Sequence, residues 1–175
     1  MKSSENNVIY IDGANLHKGS LDLDREINYK KFAGWLRQKY NAQIIYLFIG
    51  LIPKYSKLYQ NLQEYGFILI FKETIVSNNG KVKGNCDAEL VLKVSSDFYE
   101  NKVDNFIIVS GDGDFGCLVE FLINKNKNVL VLPPDEDKCS YLLRRTKAKI
   151  TPLNHHYHKF SLDRKEKAPN KDESL

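Results

Sequence analysis

The chain has 175 residues, 42% of them hydrophobic and 27% charged. That length and composition predict one globular domain burying roughly 70% of its unfolded surface, and they exclude wholesale disorder. Its 26 basic and 22 acidic residues leave a net charge of +4, too mild by itself to announce a nucleic-acid binder, and its longest apolar stretches, such as 44–52, fall far short of the roughly 20 residues that cross a bilayer. Cys86, Cys117 and Cys139 lack a CxxC spacing, which argues against a disulfide framework or a cysteine zinc site, so they read as buried thiols of a soluble, cytoplasmic protein.

In chain order, Val8, Ile9, Tyr10 and Ile11 read as a short buried strand, and the turn chemistry of Asp12-Gly13 stops it with a carboxylate at its C-terminal end. Asn28 is a plausible N-cap for a helix carrying Phe32, Trp35, Leu36 and Tyr40, which leads to a strand over 43–49. Pro53 opens a second helix with Leu58, Leu62 and Tyr65 on its apolar face, Gly66 ends it, and 67–71 is the third strand. The segment 74–84 holds Asn79-Gly80 together with Lys81 and Lys83, and reads as a polar loop or hairpin tip of the kind that meets substrates.

A helix is expected over 87–99, then a strand over 106–110 and the turn Gly111-Asp112-Gly113. Phe115, Leu118, Val119 and Leu122 place one stripe of the next helix on the sheet. A strand over 128–132, a helix around 138–146 and a short strand at 149–151 complete the domain, 1–153; after it, 154–175 reads as a charged, flexible tail. The alternation implies an α/β fold with a mainly parallel sheet of five or six strands covered on both faces. In such sheets a ligand lies beyond the C-terminal strand ends, where Asp12, Asp112 and Asp114 emerge.

Each aspartate has an ordinary explanation, since Asp12 and Asp112 precede glycine in turns while Asp87 and Asp114 stand where helices begin. Gathered at one sheet edge, the same carboxylates would repel one another unless cations were present. Mg²⁺ or Mn²⁺ resolves that conflict, because hard divalent ions take carboxylates, waters and phosphate oxygens.

Three segments carry a family resemblance: Tyr10-Ile11-Asp12-Gly13-Ala14-Asn15, Lys83-Gly84-Asn85-Cys86-Asp87-Ala88-Glu89-Leu90 and Ser110-Gly111-Asp112-Gly113-Asp114-Phe115. In this order they resemble the acidic motifs of NYN domains, specifically the LabA-like branch of the PIN-like nucleases, over about residues 6 to 153. The resemblance implies a PIN-like Rossmannoid three-layer sandwich and a metal-dependent ribonuclease, an endoribonuclease acting on single-stranded RNA. It implies that Asp12, Asp87, Asp112 and Asp114 are the catalytic metal ligands, with Asn15 and Ser110 orienting carboxylates or substrate. One departure stands out: where many relatives carry a further acid about two turns into the middle helix, this chain has Lys93, with Glu89 nearer the helix start. The alternative reading keeps the fold and assigns a catalytically weak or inactive RNA-binding or regulatory protein. Whether the chain works as a homodimer is left open.

Arg144, Arg145, Lys147 and Lys149 form a basic run that is expected to hold the RNA backbone, with Lys81 and Lys83 closing from the other side. Other patterns compete. Gly111 to Gly116 satisfies GxGxxG, with Asp135 about 20 residues on, but two aspartates inside that loop oppose a pyrophosphate. A dehalogenase-like phosphatase needs an acid where Ala14 stands. His155, His156 and His158 suit a transition metal but are expected in the flexible tail, and His17 follows the first acidic motif.

Overall fold

The computed structural model describes residues 5–73, 75–76, 82–83 and 86–162. The central strand, β1 (Asn7–Asp12), is buried along its whole length. Val8 and Tyr10 face one helical layer, Ile9 and Ile11 the other, each at most 1% exposed, so a continuous apolar run serves a sheet covered on both sides. After it come α1 (Gly13–Asp22), α2 (Tyr29–Tyr40), β2 (Ala42–Leu51), a 3-10 turn at Pro53–Tyr55, α3 (Ser56–Glu64) and β3 (Ile68–Glu73). The expected hairpin is an antiparallel pair, β4 (Ile75–Val76) with β5 (Val82–Lys83). The second half runs α4 (Asp87–Tyr99), β6 (Asn105–Val109), a 3-10 turn at Gly113–Phe115, α5 (Gly116–Asn124), β7 (Asn128–Val131), α6 (Tyr141–Arg144), β8 (Lys149–Ile150) and a 3-10 segment at Asn154–Lys159.

The main sheet has six strands in the order β3-β2-β1-β6-β7-β8, and every neighbouring pair is parallel. This is the PIN-like α/β sandwich. Leu16, Phe32, Leu36 and Leu62 from α1–α3 cover one face, and Leu90, Val94, Leu118 and Leu122 from α4 and α5 cover the other. Winding proceeds outward from β1 through β2 and β3, then resumes on the other side with β6, so a crevice opens between the C-terminal ends of β1 and β6. Among the described residues no helix is long and apolar enough to cross a membrane.

Three expectations are corrected. The turn at Asp12-Gly13 is the N-terminus of α1, a helix that apolar periodicity does not announce because it packs through small residues. A Cβ on Gly13 would lie 2.5 Å from Ile49 Cγ2 and 2.7 Å from the Phe48 carbonyl oxygen, and one on Gly19 would lie 2.5 Å from Pro134 Cβ. Glycine thus lets α1 press against β2 and the loop after β7. The thiols differ from one another: Cys139 is buried, Cys86 half-buried and Cys117 exposed.

The third correction concerns the boundary at 153. The packed chain continues to Leu162, whose amide bonds the Glu26 carbonyl at 2.9 Å, because Tyr157 and Phe160 re-enter the core against Phe32 and Trp35. Phe160→Ala is therefore expected to lower unfolding stability by about 3–5 kcal/mol; an unchanged denaturation midpoint would show the segment to be dispensable.

Candidate metal centre

The crevice between β1 and β6 is closed by a chain of hydrogen bonds. Asp12 caps α1, its Oδ1 accepting the Asn15 amide at 3.0 Å, while its Oδ2 accepts the Ser110 hydroxyl at 3.1 Å. Ser110 Oγ in turn accepts the Asp112 amide at 3.1 Å, and Asp112 Oδ1 accepts the Asp114 amide at 3.0 Å. From the other side, Asn15 Oδ1 accepts the Gly111 amide at 2.9 Å. Asn15 and Ser110 thus clamp the two strand ends together, and the fully buried Ser110 leaves no room for slack. These bonds satisfy polar groups that burial would otherwise penalise.

The clamp delivers carboxylates to one place. Oxygens of Asp87, Asp112 and Asp114 lie within 4.8 Å of one another, with Asp87 and Asp112 half-buried and Asp114 exposed. Asp87 arrives separately, in the first turn of α4, where the helix N-terminus favours its charge. Asp12 stands behind this trio at 8% exposure, with both oxygens in hydrogen bonds. An all-carboxylate, partly open group suits hard divalent cations such as Mg²⁺ or Mn²⁺ and does not suit soft, thiolate-preferring ones. The Cys86 thiol beside Asp87 does not belong to this group of converging ligand atoms; burial, followed by the charges of Glu89 and Asp12, pushes it up to about 11.

Burial also pushes Asp12 up to about 6, against the lowering effect of its Asn15 and Ser110 hydrogen bonds and with smaller contributions from Asp87 and Asp112. The strain at Asp12 is thus chiefly one of burial, to which the neighbouring carboxylates add a smaller part.

α4 is fixed by a buried contact remote in sequence. Tyr10 Oη donates to Asp97 Oδ2 at 2.9 Å, and Lys93 Nζ binds Asp97 Oδ1 at 2.6 Å while lying 4.7 Å above the Tyr46 ring. Burial opposes the Lys93 charge, but Asp97 and Tyr46 outweigh it and hold the ammonium above its ordinary value. Lys93 therefore neutralises a buried acid, 3% exposed, that anchors α4 beneath β1 and so sets where Asp87 stands. Glu89 turns instead to Lys72, at 3.4 Å.

The basic residues are placed differently from the expected groove. Arg144 Nε donates to the Cys139 carbonyl at 3.1 Å and another guanidinium nitrogen bonds the Glu136 carbonyl, while Arg145 faces Glu120 at 3.6 Å. Both serve the loop and helix around them. Lys81 lies outside the described residues, and Lys83 is described only by its backbone pairing with Ile75. Two lysines that sequence reading passed over, Lys18 and Lys138, line a 130 Å³ cleft with Asn15 and Gly111; Lys138 also pairs with Asp22 at 2.6 Å. Their place follows only once α1 is recognised as a helix.

His17 lines a separate 330 Å³ cavity with Asn28, Tyr29 and Asn61, and burial lowers its pKa. His155 is occupied by Glu136 at 2.8 Å and His156 by Lys39 at 2.9 Å, so the three histidines do not converge as a metal site. Asp135, the acid of the competing dinucleotide pattern, is buried and accepts the Asp137 amide at 3.1 Å.

A carboxyl whose folded pKa is raised adds stability at low pH and loses it as pH climbs through the folded value. In the absence of divalent cations, Asp12→Asn, which keeps an acceptor for the Asn15 amide, is expected to be more stable than the wild type at pH 7.5 by on the order of 1–3 kcal/mol and to converge with it near pH 4. Urea unfolding at the two pH values measures this, and a gap independent of pH would contradict the strain at Asp12.

Residues 7–154 match the NYN domain family. No curated protein sequence matches the chain. Among solved structures, a protein of unknown function from Vibrio parahaemolyticus is 25% identical and superposes with a TM-score of 0.75, the match covering 93% of this chain and 100% of that one. The family match takes in all four aspartates and every strand from β1 to β8. The chain belongs to the NYN domain family, within the PIN-like nuclease superfamily.

Proposed function

We propose that the chain is a divalent-cation-dependent ribonuclease of the LabA-like kind, cutting single-stranded RNA internally in the cytoplasm. The observation that carries this reading is the convergence of Asp87, Asp112 and Asp114 from two separate segments at the switch point of the sheet, with their oxygens within 4.8 Å of one another. A divalent cation held there supplies Lewis-acid activation of water and neutralises charge developing on the scissile phosphate.

The chain's own residues do the rest. Asp87, Asp112 and Asp114 hold the cation; Asp12 fixes the N-terminus of α1 and the Ser110 hydroxyl, so the loop bearing Asp112 and Asp114 keeps its shape. Asn15 holds the Gly111 amide, and Lys18 lines the cleft beside it, placed to meet a neighbouring phosphate, while Lys138 in the same cleft is paired with Asp22. Tyr141, 75% exposed on the helix that follows Ser140, offers a face on which an unpaired base can stack. Hydrolysis adds the hydroxyl of water to phosphorus and its proton to the departing ribose oxygen, and sequence selectivity is low because these contacts favour backbone over base edges. Lys93, the sequence argument for an inactive protein, is accounted for by Asp97.

Asp112→Asn and Asp87→Asn are expected to reduce Mg²⁺- or Mn²⁺-dependent cleavage of a single-stranded RNA by at least about 10²-fold while leaving the fold intact, since each removes a charge and keeps the shape. Wild-type turnover in both purified variants would remove the assignment. RNA binding without cleavage by the wild type, at saturating Mn²⁺, would favour the RNA-binding, regulatory reading.

A further inference from the structure

The basic run that reads as one groove in sequence is divided by the fold. Arg144 and Arg145 end α6 near the acidic loop, whereas Lys147 and Lys149 lie at the opposite, N-terminal edge of the sheet. There, with Lys127, they line a 520 Å³ groove alongside Asn7, Asn105 and Asn128, the first residues of β1, β6 and β7. Lys39 reaches the same edge from the last turn of α2, just before β2 begins. Lys159 and His156 come from the 3-10 segment, with His156 Nε2 2.9 Å from Lys39 Nζ.

This surface carries more positive than negative charge, Glu5 being the one carboxylate among the residues that line the groove. Lys39, Lys147, Lys149 and Lys159 form no ion pair among the described residues. Of the acids around it, Glu5 accepts the Asn105 amide at 3.0 Å and Glu136 is taken by His155. Burial, followed by the charges of Lys159 and Lys149, lowers the Lys39 pKa; burial, followed by Lys39 and Lys159, lowers that of His156. Mutual repulsion among cations is what a bound polyanion relieves. Trp35 is not free to stack on bases, since it is 7% exposed and lies beneath Lys39, 5.2 Å from its Nζ.

We propose that Lys39, Lys147, Lys149 and Lys159, around His156, form a second RNA-backbone-binding surface that anchors substrate at the edge of the sheet opposite the acidic centre. The inference rests on the reading of that centre as an RNA hydrolase. The six residues of β1 separate the two edges by roughly 20 Å, so a strand must be long to touch both. Contacts of this type go to phosphates and are blind to sequence.

The test uses the full chain and a variant carrying Lys39→Gln, Lys147→Gln, Lys149→Gln and Lys159→Gln, checked for unchanged thermal unfolding, with the four Lys→Arg replacements as a charge-retaining control. Anisotropy measures binding of an unstructured RNA of about 30 nucleotides across a salt series. The Gln variant is expected to bind it at least tenfold more weakly, with the salt slope reduced by about 0.7 per lost phosphate contact. It is expected to cut a tetranucleotide as the wild type does, and the Arg variant is expected to retain long-RNA affinity. Wild-type affinity and slope in a folded Gln variant would overturn the proposal. So would a wild type that ignores RNA but binds phosphatidylserine vesicles through these lysines, which would assign the surface to membranes. Lysine-dependent binding of long RNA by a chain that cleaves none would support the anchoring surface and count against the catalytic reading alone.

Discussion

The constraint on which the site depends is that two parallel strands, β1 and β6, end side by side while the chain leaves them in different directions. Their C-terminal ends must diverge, and the polar groups exposed by that divergence must find partners away from bulk water. Asp12, Ser110, Asp112, Asn15 and Gly111 solve this together, each satisfying a neighbour across the seam. Asp12 is consequently as much a structural residue as a chemical one: it caps α1, carries the strain of burial and shapes the loop that presents the more accessible acids.

Charge at the site is organised in depth. The buried Asp97 has its compensating cation in Lys93 and its hydrogen bond in Tyr10, so it adds rigidity beneath the sheet without adding to the field at the surface. Asp87, Asp112 and Asp114 instead bring carboxylate oxygens within 4.8 Å of one another, an arrangement that a divalent ion would favour. Lys147 and Lys149 stand at the opposite edge of the sheet, whereas Lys18 and Lys138 line the cleft beside the seam. Such separation limits direct neutralisation of the acids and leaves basic surface available to a long anionic chain.

Much of this was legible in the sequence because burial on both faces leaves continuous apolar runs, and because caps have chemical signatures. β1, β2, β6 and β7 follow from β-branched stretches, α2 from Asn28 and its apolar stripe, and α4 matches its expected bounds of 87–99. Asp12 and Asp112 stood out by following strands. What stayed hidden depends on approach between distant segments. α1 packs through Gly13 and Gly19, which register as breakers when read alone. Asp97 acquires its meaning from Tyr10, 87 residues away. The run 144–149 looks continuous, yet Arg144 turns back to the carbonyls of 136 and 139 while Lys147 and Lys149 pass to the other edge. Tyr157 and Phe160 sit among histidines and lysines, so composition marks as tail a segment whose two aromatic rings complete the core.

The account stands on Asp87, Asp112 and Asp114 acting as one cation site held by the β1–β6 seam. Its most direct measurement is an anomalous difference map from crystals soaked in Mn²⁺. The account predicts a peak coordinated by oxygens of these three aspartates, with Asp12 still bonded to Ser110 and the Asn15 amide. A map without density there, or with Mn²⁺ bound only at the histidines of the 3-10 segment, would contradict it.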